Sequence, residues 1–189
     1  MRAASTFTAI AFAALATSTA LAQQPAQPDP SPKTKIEAFQ AQTGTVVVKG
    51  YTEIGRVTAM GSVEVSAMEF IDAATSKKQN GVVIEVKEAG RIENEDRSFI
   101  DYDEVDALIK GLEYISRATS EVTQLGNFEA IYRTKGNFSA TTYNNSSDKV
   151  AAAVKSGYVR PATAFLSLEQ LNALRDLISQ AKHKLDETK

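Results

Sequence analysis

Two stretches of the chain share one hydrophobic rhythm. In SFIDYDEVDALIKGLEYI, starting at Ser98, and AFLSLEQLNALRDLISQA, starting at Ala164, a short apolar strand runs straight into a helical pattern. Phe99, Ile100, Ala107 and Leu108 fall on Phe165, Leu166, Ala173 and Leu174 at an offset of 66 residues. Val105, Leu108, Ile109, Leu112 and Ile115 form an apolar stripe at spacings of three and four, and Leu171, Leu174, Leu177, Ile178 and Ala181 form its counterpart.

Upstream of each helix the period is 2. TVVVKGYTEIGRVTAM, SVEVSAMEFIDA, GVVIEVKEA and RSFI read as strands before the first helix. Gly50 and Gly55 mark bends or bulges in the first of them. TSKKQNG, ending in Asn80-Gly81, predicts the hairpin turn between the second and third. NFEAIYRTK, FSATTY, KVAAAVKS and TAFL read as strands before the second helix. The predicted fold is therefore α+β, with two tandem β-β-β-β-α repeats at 44–118 and 119–189. Their sheets are antiparallel, with one helix per repeat packed on them, and 44–189 is a single folded domain. One helix on one sheet buries little, so the duplication supplies a core.

Each helix also carries a start signal. Asp101 and Ser167 stand at the N-cap, and Glu104 and Gln170 follow three residues later. The pattern predicts two capping boxes, in which the cap side chain accepts from a first-turn amide and the later residue reaches back. The acids of DYDEVD are thereby expected to serve helix initiation and a solvated first turn, not calcium, because the twelve-position loop of an EF-hand is absent.

The N-terminus has a different pattern. Arg2 precedes an uncharged, Ala-rich run from Ala3 to Ala22 that closes on Ala20-Leu21-Ala22. This predicts a signal peptide at 1–22, cleaved after Ala22, and an exported protein of the periplasm or extracellular space. QQPAQPDPSPKTK then predicts a Pro-rich flexible tether over 23–43, ending in a short helical turn. Loss of Arg2 takes the formal net charge from −2 to −3, a mild balance that marks neither a nucleic-acid carrier nor a polyanion mimic. With no cysteine, no disulfide framework is available. No later segment is apolar enough to span a bilayer.

Two four-strand-then-helix units in succession resemble the Whirly proteins and the related transcriptional-coactivator single-strand-binding domain. The resemblance covers Thr45 to Leu185 as topology and rests on strand-cap-helix joints such as AFLSLEQLNALRDLI. It implies a single-stranded nucleic-acid or polyanion binding module. Stretches such as GNFEAIYRTKG are also similar to those of exported bacterial proteins without an assigned activity.

The chemistry-bearing residues are sparse. His183 is the only histidine and lies among lysines at the end of the last helix, so no metal site, cofactor or Ser-His-Asp arrangement is predicted. Gly50 and Gly55 lack the Lys-Ser/Thr of a phosphate-binding loop. The electrostatic asymmetry lies in the second sheet. There Tyr132, Arg133, Lys135, Tyr143, Lys149, Lys155 and Arg160 compose a candidate basic and aromatic binding patch. Alternation places Arg133 and Lys135 on the face opposite Phe128 and Tyr132.

The leading reading is an exported, soluble, non-enzymatic domain that binds a protein, glycan or other anionic partner through its sheet surface. The exposed sheet edges make a homodimer an expectation. A nucleic-acid or polyanion module and an unrecognised hydrolase stand as the alternatives.

Overall fold

The periodicity predicts two antiparallel sheets, and the computed structural model has them. It describes residues 31–90, 94–144 and 149–188; the predicted signal peptide and the tether up to Pro30 lie outside these. The first sheet is a meander of β1 (Val47–Ala59), β2 (Gly61–Asp72), β3 (Lys78–Lys87) and β4 (Glu95–Asp101), and α2 (Val105–Ser116) follows it. The second is a meander of β5 (Glu129–Arg133), β6 (Ser139–Asn144), β7 (Val150–Ser156) and β8 (Ala162–Leu166), followed by α3 (Leu168–Asp186).

The offset of 66 residues survives in three dimensions. Val105, Leu108, Leu112 and Ile115 of α2 and Leu171, Leu174, Ile178 and Ala181 of α3 are all buried in one core, with Val63, Val65, Val82, Ile84 and Val86 of the first sheet and Ala140, Ala152 and Val154 of the second. The helices are largely exchanged between repeats: α3 packs mainly on β1, β2 and β3, with a smaller contact on β7 and β8 of its own sheet, while α2 packs on β5 and β6 and against α3. Large and small residues are exchanged with them. Leu177 of α3 fills the space over Gly55 of β1, and the Tyr132 ring of β5 fills the space over Gly111 of α2.

Specific contacts stitch the sheets together. The amide of Phe165 donates to the Met60 carbonyl at 3.0 Å, so the tip of the β1–β2 hairpin extends the β8 edge. Ser98 of β4 and Ser156 of β7 are buried and their hydroxyls lie 2.7 Å apart. Gly61, at φ 102°, turns this hairpin tip against the Lys87 carbonyl and Ala164, where no side chain fits.

Several expectations change. The β2–β3 turn is made at Ala73–Lys77, not at Asn80-Gly81, which pair inside the sheet with Glu69 and Met68. The Asp72 carboxylate sets the turn by accepting from the amides of Ala74 and Thr75, and Ser76 takes a positive φ. Gly81 is required inside the strand because Ile36 and the Ile100 carbonyl occupy the place of a side chain. The predicted bulge at Gly55 is present as a register shift between Glu53 and Gly55, whereas Gly50 pairs regularly with Glu69. The charged segment before Ser98 is strand from Glu95. Its charges pair across strands, Arg97 with Glu85 and Glu95 with Lys87.

The cap expectation holds at one joint and fails at the other. Ser167 and Gln170 form a reciprocal capping box. Asp101 makes no cap hydrogen bond to its own helix, which begins after a 3-10 turn at Tyr102–Glu104. Its buried carboxylate accepts instead from the amides of Lys35 at 2.8 Å and Ile36 at 3.1 Å. Glu104 reaches out of its helix to accept from the Lys135 amide at 3.0 Å.

Those bonds also revise where the folded part begins. The short helical turn expected at the end of the tether is α1 (Lys35–Gln40), opened by a capping box of Thr34 and Glu37, and it packs on the first sheet. Ile36 is fully buried on the outer face of the first sheet with Met68, Phe70 and Val83, and Phe39 and Phe99 flank them. The Tyr158 hydroxyl donates to Glu37 at 2.7 Å, and partial burial, then this bond, hold its pKa above the ordinary phenol value. The folded part therefore includes Thr34 to Gln40, upstream of residue 44.

Candidate anion-binding face

Strand alternation gives each sheet an inner face and an outer face, and the antiparallel ladders line residues up across the outer faces in rows. In the first sheet one such row reads Arg56, Glu64, Glu85 and Arg97 across β1 to β4. Applying the 66-residue offset at β8 and following the ladders gives the equivalent row of the second sheet: Arg133, Ser139, Lys155 and Thr163.

The two rows differ in how their charges are satisfied. In the first, Glu64 pairs with Arg56, and Glu85 pairs with Arg97 and with Lys87 at 3.4 Å. The carboxylate of Glu64 raises the pKa of the Arg56 guanidinium, through a hydrogen bond and its charge. In the second row Ser139 and Lys155 stand where the first has its two glutamates. Arg133 and Lys155 are exposed, and among the described residues neither side chain has an ion pair or hydrogen bond.

A neighbouring row adds apolar surface. Ile131, Thr141, Ala153 and Phe165 lie in register across β5 to β8. Phe165 is 46% exposed, although its counterpart Phe99 is part-buried beside the α1 cluster. Together the two rows and Tyr143 line an open groove of about 420 Å³, which Glu129 and Glu88 also border. A second hollow of about 250 Å³ adjoins it, lined by Thr134, Asn137 and Gly157, and shares Arg133, Ser139 and Lys155 with it. The equivalent groove of the first sheet, about 260 Å³, holds Glu64, Glu85 and Arg97 in their paired state.

The structure brings Arg133, Lys155 and Tyr143 of the predicted patch together and separates the rest. Tyr132 is on the inner face against Gly111; burial, then the Glu104 charge, raise its hydroxyl pKa. Lys135 sits in the β5–β6 turn, held through its amide by Glu104. Lys149 stands just before β7 and Arg160 in the loop after it, and neither lines the groove. Ile131, Ser139, Thr141, Thr163 and Phe165 were not in the predicted patch. The signal for Phe165 lay in AFL itself, where alternation sets Phe165 on the face opposite Ala164 and Leu166.

The other candidate chemistry disperses. Asp103 pairs with Lys35 at 2.7 Å, and this contact holds its carboxyl below the ordinary range. Asp106 pairs with Lys182 at 3.1 Å, so the DYDEVD acids point to separate partners. Among the described residues no cluster of His, Cys, Asp and Glu is arranged to hold a metal ion. His183 is exposed in the last turn of α3. No helix among the described residues is long and apolar enough to cross a membrane. No protein-family model, curated protein or solved structure matches the chain.

Proposed function

We propose that the chain is an exported, non-enzymatic binding module that takes an anionic ligand on the outer face of its second sheet. One observation carries this reading. At equivalent positions the first sheet neutralises its cations with Glu64 and Glu85, and the second presents Arg133 and Lys155 over Ser139 with no carboxylate among the described residues paired to either. Two cations that rise from one face beside a hydroxyl form a ready oxyanion site, and a charge-assisted hydrogen bond is worth more than a neutral one. The export part of the proposal rests on the Ala-rich run ending at Ala22.

The test is a titration of the full chain with inorganic sulfate, followed by amide chemical shifts. Shifts concentrated at Arg133, Ser139 and Lys155, and abolished in the Arg133→Gln/Lys155→Gln double variant, are expected. Equal binding by that variant, or shifts centred on the first-sheet row, overturns the proposal.

A further inference from the structure

Resting on that reading, we infer that the ligand is an acidic glycan: a sugar chain in which one carboxylate- or sulfate-bearing residue stands between neutral ones. Three features of the face point there.

The first is where the charge lies. Arg133 and Lys155 stand at the junction of two hollows and line both. An anionic residue held at the junction leaves its chain neighbours to lie in the hollows on either side. Both hollows are open, which suits a polymer lying across the sheet more than a small molecule enclosed on all sides.

The second is the lining. Ser139, Thr141, Thr163 and Tyr143 place hydroxyls on the larger groove. A hydroxyl both donates and accepts, so it can exchange hydrogen bonds with sugar hydroxyls in either sense. Phe165 and Tyr143 present ring surface in the same groove, and the negative face of an aromatic ring suits the C–H-rich face of a pyranose.

The third is what the face disfavours. Glu129 and Glu88 border the groove that the two cations enter. A uniformly charged polymer would set some of its charges against these carboxylates, and like-charge contact rejects partners. Single-stranded nucleic acid needs a basic groove that tracks its backbone, and here the two cations that line the hollows, Arg133 and Lys155, occupy one cross-strand row. A peptide added as a strand pairs along a sheet edge, here the free edge of β5, and would run beside the outer face and not across the row that holds Arg133 and Lys155.

The experiment compares five probes on the full chain by calorimetry. They are an oligosaccharide with one uronate among neutral sugars, a neutral oligosaccharide of equal length, an all-uronate oligomer, an oligo-dT strand and inorganic sulfate. The mixed oligosaccharide is expected to bind best, about tenfold or more above its neutral counterpart, as loss of a charge-assisted contact requires. Phe165→Ala is expected to weaken it by about threefold to tenfold, the range of an aromatic contact, and to weaken sulfate binding less. Thr141→Val, which keeps the shape and removes a hydroxyl, is expected to act in the same direction. Tighter binding of oligo-dT or of the all-uronate oligomer overturns the glycan assignment. So does a silent Phe165→Ala with sulfate still held by Arg133 and Lys155, a result that leaves the anion-binding function standing. Failure of every probe at this face overturns both.

Discussion

Tyr132 packs its ring over Gly111, in the space where a side chain on α2 would stand. At the equivalent place in the other repeat the sizes are reversed, with Leu177 on the helix and Gly55 on the strand. On an isolated helix Gly111→Ala would add stability, by about 1 kcal/mol. Here the new methyl meets the ring, and overpacking of a filled core costs about 1 to 3 kcal/mol. Gly111→Ala is therefore expected to lower the urea midpoint, and Tyr132→Leu in the same chain to restore part of it. A rise in the midpoint for the single variant would show that the ring yields.

The Ser98–Ser156 contact gives a second test of how the repeats are joined. Both side chains are wholly buried, so removing one hydroxyl leaves the other without its partner. Ser98→Ala is expected to cost about 1 to 3 kcal/mol, the penalty for a stranded buried polar group. The double change Ser98→Ala/Ser156→Ala is expected to cost less than the sum of the single changes. Strict additivity in chemical denaturation would sever the predicted link.

Acid should loosen the β2–β3 turn. Asp72 is held below its ordinary carboxyl value, first by the Ala74 amide and then by Thr45 and Thr75. A depressed folded-state pKa gives stability that is present above the unfolded value and is lost as pH falls through the folded one. Asp103 and Glu95, lowered by Lys35 and Lys87, act in the same direction. Stability is thus expected to fall as pH drops below about 4, where these carboxyls ordinarily titrate. Asp72→Asn is expected to flatten part of that fall, and thermal melts across the acid range read it directly. An unchanged pH profile would remove Asp72 from the account.

Rebuilding the first row on the second sheet should switch the proposed site off. Ser139→Glu, Lys155→Glu and Thr163→Arg together place the Arg-Glu-Glu-Arg order of the first row on the second sheet, with Arg133 as its first member. Surface ion pairs contribute about 0 to 1 kcal/mol, so stability should barely move while anion binding is lost. Retained binding in this variant would place the ligand elsewhere.

The period-2 and helical patterns were enough to read both sheets and both long helices, because each strand and helix buries one face and exposes the other. The Ser167–Gln170 box was legible because its partners are local. Asp101 was not: the amides it satisfies belong to Lys35 and Ile36, far away in the chain, and a propensity rule ranks residues without knowing who else is near. The site was half legible for the same reason. Alternation placed Arg133 apart from Tyr132, but which cations lack a counter-charge is decided by cross-strand neighbours. Only the registers of β5 to β8 reveal that Lys155 faces Ser139 and Thr163.

The exchange of helices has a consequence for the halves as objects. Because α3 covers the first sheet and α2 the second, cutting the chain between the repeats leaves each sheet with the helix that packs on the other. Neither fragment holds its main lid, so 31–118 and 119–189 are expected to be unfolded when made separately. Mixed together they should complement each other, recovering the far-ultraviolet spectrum of the intact chain. The pair of repeats is in this sense a domain-swapped dimer written into one polypeptide, and its linker removes the dependence on concentration that two separate chains would have.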